Sequence, residues 1–144
     1  MDPLRITPAT IEHFNDLELL LGPKKSPTAQ ACWCRSYRLG YKASAKLDAA
    51  ARRAEVQHLC QAEPAPGILA YRTDDDGSST VVGWAGVAPR AEVAELSTAA
   101  YPHIADANPW SIFCMRTRTG MRKRGIGQQL LTGAINFAFD NGAT

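Results

Sequence analysis

The sequence has 144 residues, of which 45% are hydrophobic and 21% are charged, and its formal net charge is +2. This composition is typical of one globular domain, and it argues against a disordered tail, a fibrous chain or a repeat array. A chain so close to neutral has no general attraction to nucleic acid or to an anionic membrane. We therefore expect neither as a partner.

Residues 4–6 predict a short first strand, which Pro8 closes because the residue before a proline is driven away from the helical region. Thr10 is then expected to cap a helix that ends at Gly22-Pro23. Apolar residues recur at helical spacing along it, at Ile11, Phe14, Leu17 and Leu20 or Leu21. Residues 24–31 are expected to form a surface loop, whereas the aromatic and basic segment 32–41 has no clear period.

Residues 44–63 predict a second helix, ended by Pro64 and Pro66. Two β-rich runs, 67–72 and 79–87, are joined by a polar connection with an Asp-Gly turn signal and predict an antiparallel hairpin. After a mixed segment with some helical character near 91–100, residues 110–115 predict a fourth strand. A last amphipathic helix begins at Gly125 and ends at Asn141-Gly142.

The four cysteines are predicted to be reduced thiols, buried or lining a cleft. Their spacings are scattered, at Cys32, Cys34, Cys60 and Cys114. Cys32-Trp33-Cys34 lacks the spacing of a zinc knuckle, and no Cys or His pair follows it at a fitting distance, so we expect no metal site. The sequence has no basic-then-apolar leader and no run of 18 apolar residues, which leads us to expect a cytoplasmic protein without a membrane span.

The turn between the fourth strand and the last helix is the segment that points to chemistry. Five of the nine residues from 116 to 124 are Arg or Lys and none is acidic. The helix start directs unpaired N–H groups and a partial positive charge at one point, and Gly125 and Gly127 let an anion approach the main chain. We therefore predict a phosphate site, the alternative being an ordinary helix start with solvated arginines.

Two other phosphate-binding turns fit this sequence less well. A P-loop requires Ser or Thr after a Gly-Lys pair, but Gly127 is followed by Gln128-Gln129. A dinucleotide fingerprint requires a third glycine or alanine at position 130, which is Leu, and a parallel unit, whereas the preceding strands are predicted to be antiparallel. The P-loop is excluded and the dinucleotide motif is disfavoured.

The pattern Arg122-x-x-Gly125-x-Gly127 resembles motif A of the GNAT superfamily of N-acetyltransferases, R/Q-x-x-G-x-G/A on a strand-to-helix turn. The predicted order of strands and helices resembles the first part of that fold. Cys32-Trp33-Cys34 and the segment 83–90, Gly-Trp-x-x-Val-Ala-Pro-Arg, are similar to those of a bacterial branch. The resemblance implies one α/β (α+β) domain over residues 1–144, with a mostly antiparallel sheet flanked by helices.

The same resemblance implies a coenzyme A site. The main chain of Met115 and Thr117 would face the pantetheine of acetyl-CoA, and the turn would wrap its pyrophosphate. The implied turn residues are Arg122, Lys123, Arg124, Gly125, Ile126, Gly127 and Gln128. Arg116 and Arg118 depart from the family pattern of apolar residues and an acid, and they either engage the 3′-phosphate of the cofactor or belong to a solvated loop.

The implied reaction is direct attack of the primary amine of a small molecule on the thioester, which requires a base and an acid. Candidates in the segment before the fourth strand are Glu92, Glu95, Tyr101 and His103, although each of them is better explained as a surface residue. Cys114 is better explained as a cleft-wall thiol than as a nucleophile, since no His has a triad-like role. A non-catalytic ligand-binding module of the same fold is the alternative.

The resemblance also implies a fifth strand after the last helix, and the sequence ends before one, at residues 142–144. An uncovered hydrophobic edge on the fourth strand invites pairing with another chain. Either the chain is truncated before that strand, or a second copy covers the edge in a homodimer, and we expect such an association.

Overall fold

Four antiparallel strands, in the order β1-β2-β3-β4, form the sheet of the computed structural model. The structure describes residues 3–24, 26, 31–97, 102, 106–121 and 123–144. The strands are β1 Arg5–Pro8, β2 Gly67–Thr73, β3 Ser79–Pro89 and β4 Trp110–Thr117. The helices are α1 Phe14–Leu21, α2 Arg35–Leu39, α3 Tyr41–Ala45, α4 Ala49–Cys60 and α5 Ile126–Asp140. The mixed α/β class and the antiparallel hairpin of β2 and β3 are confirmed.

Each face of the sheet carries its own apolar core. On one face, α1 and the segment around Trp33 pack with Leu69 and Trp84 of the sheet. On the other, α5 packs through Leu130 and neighbouring residues against alternate positions of β2 and β3. Strand β3 is therefore buried on both faces, whereas β4 lies at the edge of the sheet in the described part of the chain.

Small residues let α5 approach the sheet closely. A side chain at Gly83 would come within 2.7 Å of the Leu130 side chain, and one at Gly133 within 2.9 Å of Ile6. Glycines on both surfaces thus leave room for the larger side chain opposite, as dense packing requires. This close packing of α5 on the sheet fixes the N-terminal end of the helix relative to the end of β4.

A β-bulge interrupts the pairing of β3 with β4. Gly86 pairs with Cys114, but Val87 pairs with Ile112, so Phe113 is the additional residue on β4. A side chain at Gly86 would come within 2.8 Å of the Phe113 ring, which explains why glycine stands there. Because of the bulge, the consecutive residues Phe113 and Cys114 both pack on the α1 face.

Two predictions about the first elements were wrong in detail. Strand β1 continues through Pro8, which pairs with Ile68, because β1 is an edge strand and a missing N–H is tolerated there. Thr10 does not cap the helix through its side chain, since its hydroxyl donates to Glu12 at 3.1 Å. The helical segment begins instead with a 3₁₀ turn, Ile11–His13, and ends as predicted before Gly22.

The prediction of one helix over 44–63 was also wrong. The segment forms the end of α3 and then α4, which begins after Asp48, whose carboxylate accepts a hydrogen bond from the Ala51 N–H at 2.8 Å. The segment left without a predicted structure contains α2. The helical character expected near 91–100 consists of two 3₁₀ turns, Arg90–Glu92 and Ala94–Leu96, and residues 98–100 lie outside the described residues.

Strand β4 is two residues longer than predicted, ending at Thr117, and α5 agrees closely with its predicted bounds. None of the described helices combines the length and the apolar character needed to cross a bilayer.

Candidate functional site

The turn before α5 has two residues in the left-handed backbone region. Lys123 has φ 63° and Gly125 has φ 74°, and Gly125 is the residue that caps the helix. Glycine adopts this conformation without steric cost, whereas Lys123 does so less readily. Gly125 offers no side-chain acceptor, so the helix start has no side-chain cap to satisfy its N–H groups.

The first amides of α5 are available to an anion. The N–H of Gln129 donates a hydrogen bond to the Gly125 carbonyl at 3.2 Å. The amides of Ile126, Gly127 and Gln128 lie between these two residues, in the first turn of the helix. Helix geometry gives such amides no intrahelical partner, and the helix dipole adds partial positive charge beside them. Apart from its chain neighbours and the backbone of α5 itself, no atom of the described residues lies within 4 Å of where a Gly127 side chain would begin. The head of α5 is therefore an open, electropositive cradle.

A cleft of about 450 Å³ adjoins this turn on the α5 face of the sheet. Its apolar wall consists of Leu4, Val82, Met121 and Ile126. Its polar wall contains Arg72, Lys123 and Arg124, and no acidic side chain lines it among the described residues. Arg72 is already paired, since its guanidinium donates to Asp74 at 3.0 Å. Lys123 and Arg124 thus supply the cations for a ligand that has an anionic part and an apolar part.

The structure brings most of the predicted cofactor residues to one end of the domain. Lys123, Arg124, Gly125, Ile126, Gly127 and Gln128 form the turn and the first residues of α5. Met115 and Thr117 lie on the final residues of β4, and the Met115 side chain is 43% exposed. Arg122 lies outside the described residues.

Two of the predicted acid–base candidates, Glu92 and Glu95, lie among the described residues, and each has its own surroundings. Glu95 accepts a hydrogen bond from the Tyr41 N–H at 2.8 Å, so its carboxylate holds the start of α3. Glu92 lines a separate cleft of about 310 Å³ together with Arg35 and Arg38. Burial, reinforced by Arg35, lowers the pKa of Arg38 to about 10, and Glu92 opposes that shift. Tyr101 and His103 lie outside the described residues.

Cys34 and Cys114 form a thiol pair that sequence reasoning missed. Cys34 is buried at the start of α2, and Cys114 is half-buried beside the bulge of β4. The Cys34 S–H donates to the Cys114 sulfur, which lowers the pKa of Cys114, and Arg116 and Trp84 lower it further. The same bond, together with burial, raises the pKa of Cys34. Eighty positions separate the two cysteines, so no local pattern in the sequence joins them.

Trp84 also acts on this thiol pair. Its indole N–H is buried, forms no hydrogen bond of normal geometry within the described residues, and acts to lower the pKa of both thiols. A buried donor without a conventional partner favours a neighbouring sulfur that carries negative charge. Three groups thus lower the pKa of Cys114, which is the strand residue next to Met115.

This arrangement predicts that Cys114 reacts with iodoacetamide at lower pH than an ordinary thiol, with a midpoint below about 8.5. Cys34→Ala removes a donor and should move the midpoint upward, whereas Cys34→Ser keeps an O–H donor and should move it less. Peptide mass spectrometry over a pH series measures the rate at each cysteine. Cys60, whose pKa burial raises to about 11, is the internal control. An ordinary midpoint for Cys114, unchanged in Cys34→Ala, would contradict the prediction.

Comparison with known proteins adds one finding to this geometry. The family model described as the acetyltransferase (GNAT) family matches residues 32–144. The match includes β2, β3, β4 and the whole of α5 with its preceding turn. No curated protein and no solved structure matches the chain.

Proposed function

The chain belongs to the acetyltransferase (GNAT) family, and from that premise we propose that it transfers an acetyl group from acetyl-CoA to the primary amine of a small molecule. The observation that carries this proposal is the head of α5. There, amides without a side-chain cap, open space above Gly127 and the charges of Lys123 and Arg124 converge.

The residues present fit a diphosphate. Gly125 turns the chain so that the first amides of α5 point outward, and the absence of a side chain at Gly127 leaves the main chain accessible. Lys123 and Arg124 add charge-assisted hydrogen bonds of the kind that phosphates favour. The apolar wall of Leu4, Val82 and Met121 suits the organic part of the same ligand. Acetyl-CoA supplies an activated thioester as the acyl donor.

Strand β4 is the proposed binding site of the pantetheine arm of acetyl-CoA, which carries the acyl group. Its outer edge has no paired strand in the described part of the chain, so main-chain groups near Met115 and Thr117 are available to a ligand. The bulge at Phe113 leaves a further residue out of the ladder. Bulges of this kind occur next to active sites because they redirect backbone groups, which supports placing the thioester here.

In the proposed reaction the amine nitrogen bonds to the acetyl carbon and the carbon–sulfur bond breaks. The sulfur leaves as a thiolate that takes up a proton, and the amine loses one. Acceptance of the amine's proton by a side chain or by water is required before or during attack. Of the two described candidates, Glu92 lines a separate cleft with Arg35 and Arg38, and Glu95 is bonded to the backbone, so we propose that water accepts the proton.

The test is release of free coenzyme A thiol from acetyl-CoA over a panel of small amines, with mass spectrometry of the acetylated product. We expect release that requires both acetyl-CoA and an amine. Calorimetric titration with acetyl-CoA, run in parallel, separates catalysis from binding. Binding without release for every amine would replace the proposal with a ligand-binding module, and absence of binding would overturn both.

A further inference from the structure

A second electropositive cleft lies on the opposite face of the sheet from the turn before α5. It has a volume of about 340 Å³ and lies between the C-terminal end of α1 and the end of β4. Three cationic side chains line it, those of Lys24, Arg116 and Arg118, and the threonines Thr117 and Thr119 add hydroxyl groups. No acidic side chain lines it among the residues that the structure describes.

The end of α1 holds two of these cations in place. The Arg116 guanidinium donates to the Leu20 carbonyl at 3.2 Å, and the Lys24 ammonium donates to the carbonyl of Leu19. Arg118 is fixed by a bond from its guanidinium to the Val81 carbonyl at 3.2 Å. Carbonyl groups orient the three side chains but do not neutralise them. The C-terminus of a helix offsets only about half a charge, so most of the positive charge is left without compensation.

The acids nearest in sequence are already engaged elsewhere. Glu18 of α1 accepts two hydrogen bonds from Arg53, the longer at 3.2 Å. Asp16 accepts a hydrogen bond from the Tyr71 hydroxyl at 2.7 Å. In the described part of the chain, no carboxylate forms a salt bridge with Lys24, Arg116 or Arg118. Burial lowers the pKa of Lys24, and the charges of Arg116 and Arg118 lower it further, so the three cations do interact.

The location of the cleft separates it from the proposed diphosphate site. The cleft beside Gly125 is lined by residues of the α5 core, including Val82 and Ile126, whereas this one is lined by Leu19 and Leu20 of α1. The end of β4 passes between them. A ligand held at the head of α5 and along β4 would therefore leave the α1 side for the other substrate.

We propose that this cleft, defined by Lys24, Arg116 and Arg118, binds an anionic group of the amine acceptor. The acceptor is then an amine that also bears a carboxylate or a phosphate. Planar guanidinium groups and an ammonium with adjacent hydroxyls match such oxygen anions. The inference rests on the proposed acetyl transfer, whose substrate class it narrows.

The experiment compares amines in matched pairs, each with a carboxylate in one member and a carboxamide in the other, as acceptors with acetyl-CoA. We expect kcat/KM at least ~10-fold higher for the carboxylates, a difference of about 1.4 kcal/mol. In the double variant Lys24→Gln/Arg118→Gln the ratio should fall close to one, mainly through a higher KM for the carboxylates. Lys42→Gln, which removes one exposed charge on α3, is the control and should keep the wild-type ratio.

Two further arms identify the bound group and keep the outcomes distinct. If the double variant instead loses the preference for acetyl-CoA over its 3′-dephospho form, the cleft serves the cofactor and the inference is overturned. Equal use of both members of each pair by the wild type also overturns it, while acetyl transfer stands. If no amine is acetylated, an NMR titration with inorganic phosphate tests whether the cleft binds an anion. Shifts of the Thr117 and Thr119 amide signals in the wild type, absent in the double variant, support the cleft, and unshifted signals refute it.

Discussion

Gly127→Glu is expected to weaken the binding of acetyl-CoA by at least ~100-fold, or about 2.7 kcal/mol, without unfolding the protein. A glutamate at this position places a negative charge among the first amides of α5, where the diphosphate is proposed to bind. Outside α5 itself and the adjacent chain, no described atom lies within 4 Å of the new Cβ, so the fold has room for the side chain. Isothermal titration calorimetry with acetyl-CoA measures the loss, and circular dichroism checks the fold.

Asn136→Glu is the matched control for this substitution. Asn136 is exposed on the same helix, about 13 Å further along the axis, and receives the same change in charge. Its affinity for acetyl-CoA should stay within about twofold of the wild type, since the helix dipole acts mainly within the first turn. Gly125→Glu is a less direct test, because φ at Gly125 is 74° and any side chain there strains the backbone. Unchanged affinity in folded Gly127→Glu would refute the proposed site.

Leu130→Ala is expected to lower the free energy of unfolding by about 2–5 kcal/mol, the range for truncating a buried leucine. Leu130 is 0% exposed and packs directly over Gly83 of β3, so its loss leaves a cavity beneath α5. Because this contact also positions the helix head, acetyl-CoA affinity should decrease with it. Urea unfolding followed by tryptophan fluorescence measures the stability.

The adjacent Leu131→Ala is the control, since Leu131 is 45% exposed and lies about 100° around the helix from Leu130. We expect its effect to be within about 0.5 kcal/mol, as is usual for surface positions. Equal destabilisation by the two substitutions would contradict the packing of α5 described above.

Local sequence signals were sufficient for the elements with strong periodicity or turn chemistry. The stripe from Ile126 to Ala138 gave α5 within a residue, and the Asp-Gly connection gave the β2–β3 hairpin. Local signals did not predict two other features. Asp48 starts α4 inside a segment rich in helix formers, where several start positions compete. Pro8 stays in a strand because that strand lies at the edge of the sheet, and a local pattern does not show where the edge is.

The candidate site shows the same division. A glycine pair at a helix start, among basic residues, marked the turn because each requirement lies within a few positions of the next. The cleft of Lys24, Arg116 and Arg118 joins residues more than 90 positions apart, and the Cys34–Cys114 pair joins residues 80 apart. Neither has a local pattern, since both depend on α1 and α2 packing across the end of β4.

The sequence by itself determined the family pattern, the turn at Gly125 and the helix that follows, because backbone conformation, amphipathic spacing and charge act over short stretches of chain. The tertiary structure decided on which face of the sheet each basic residue lies, where β4 bulges and which thiols are in contact. These features arise from the register of β3 with β4 and from the dense packing of helices on both faces, and such contacts exist only after distant segments have come together.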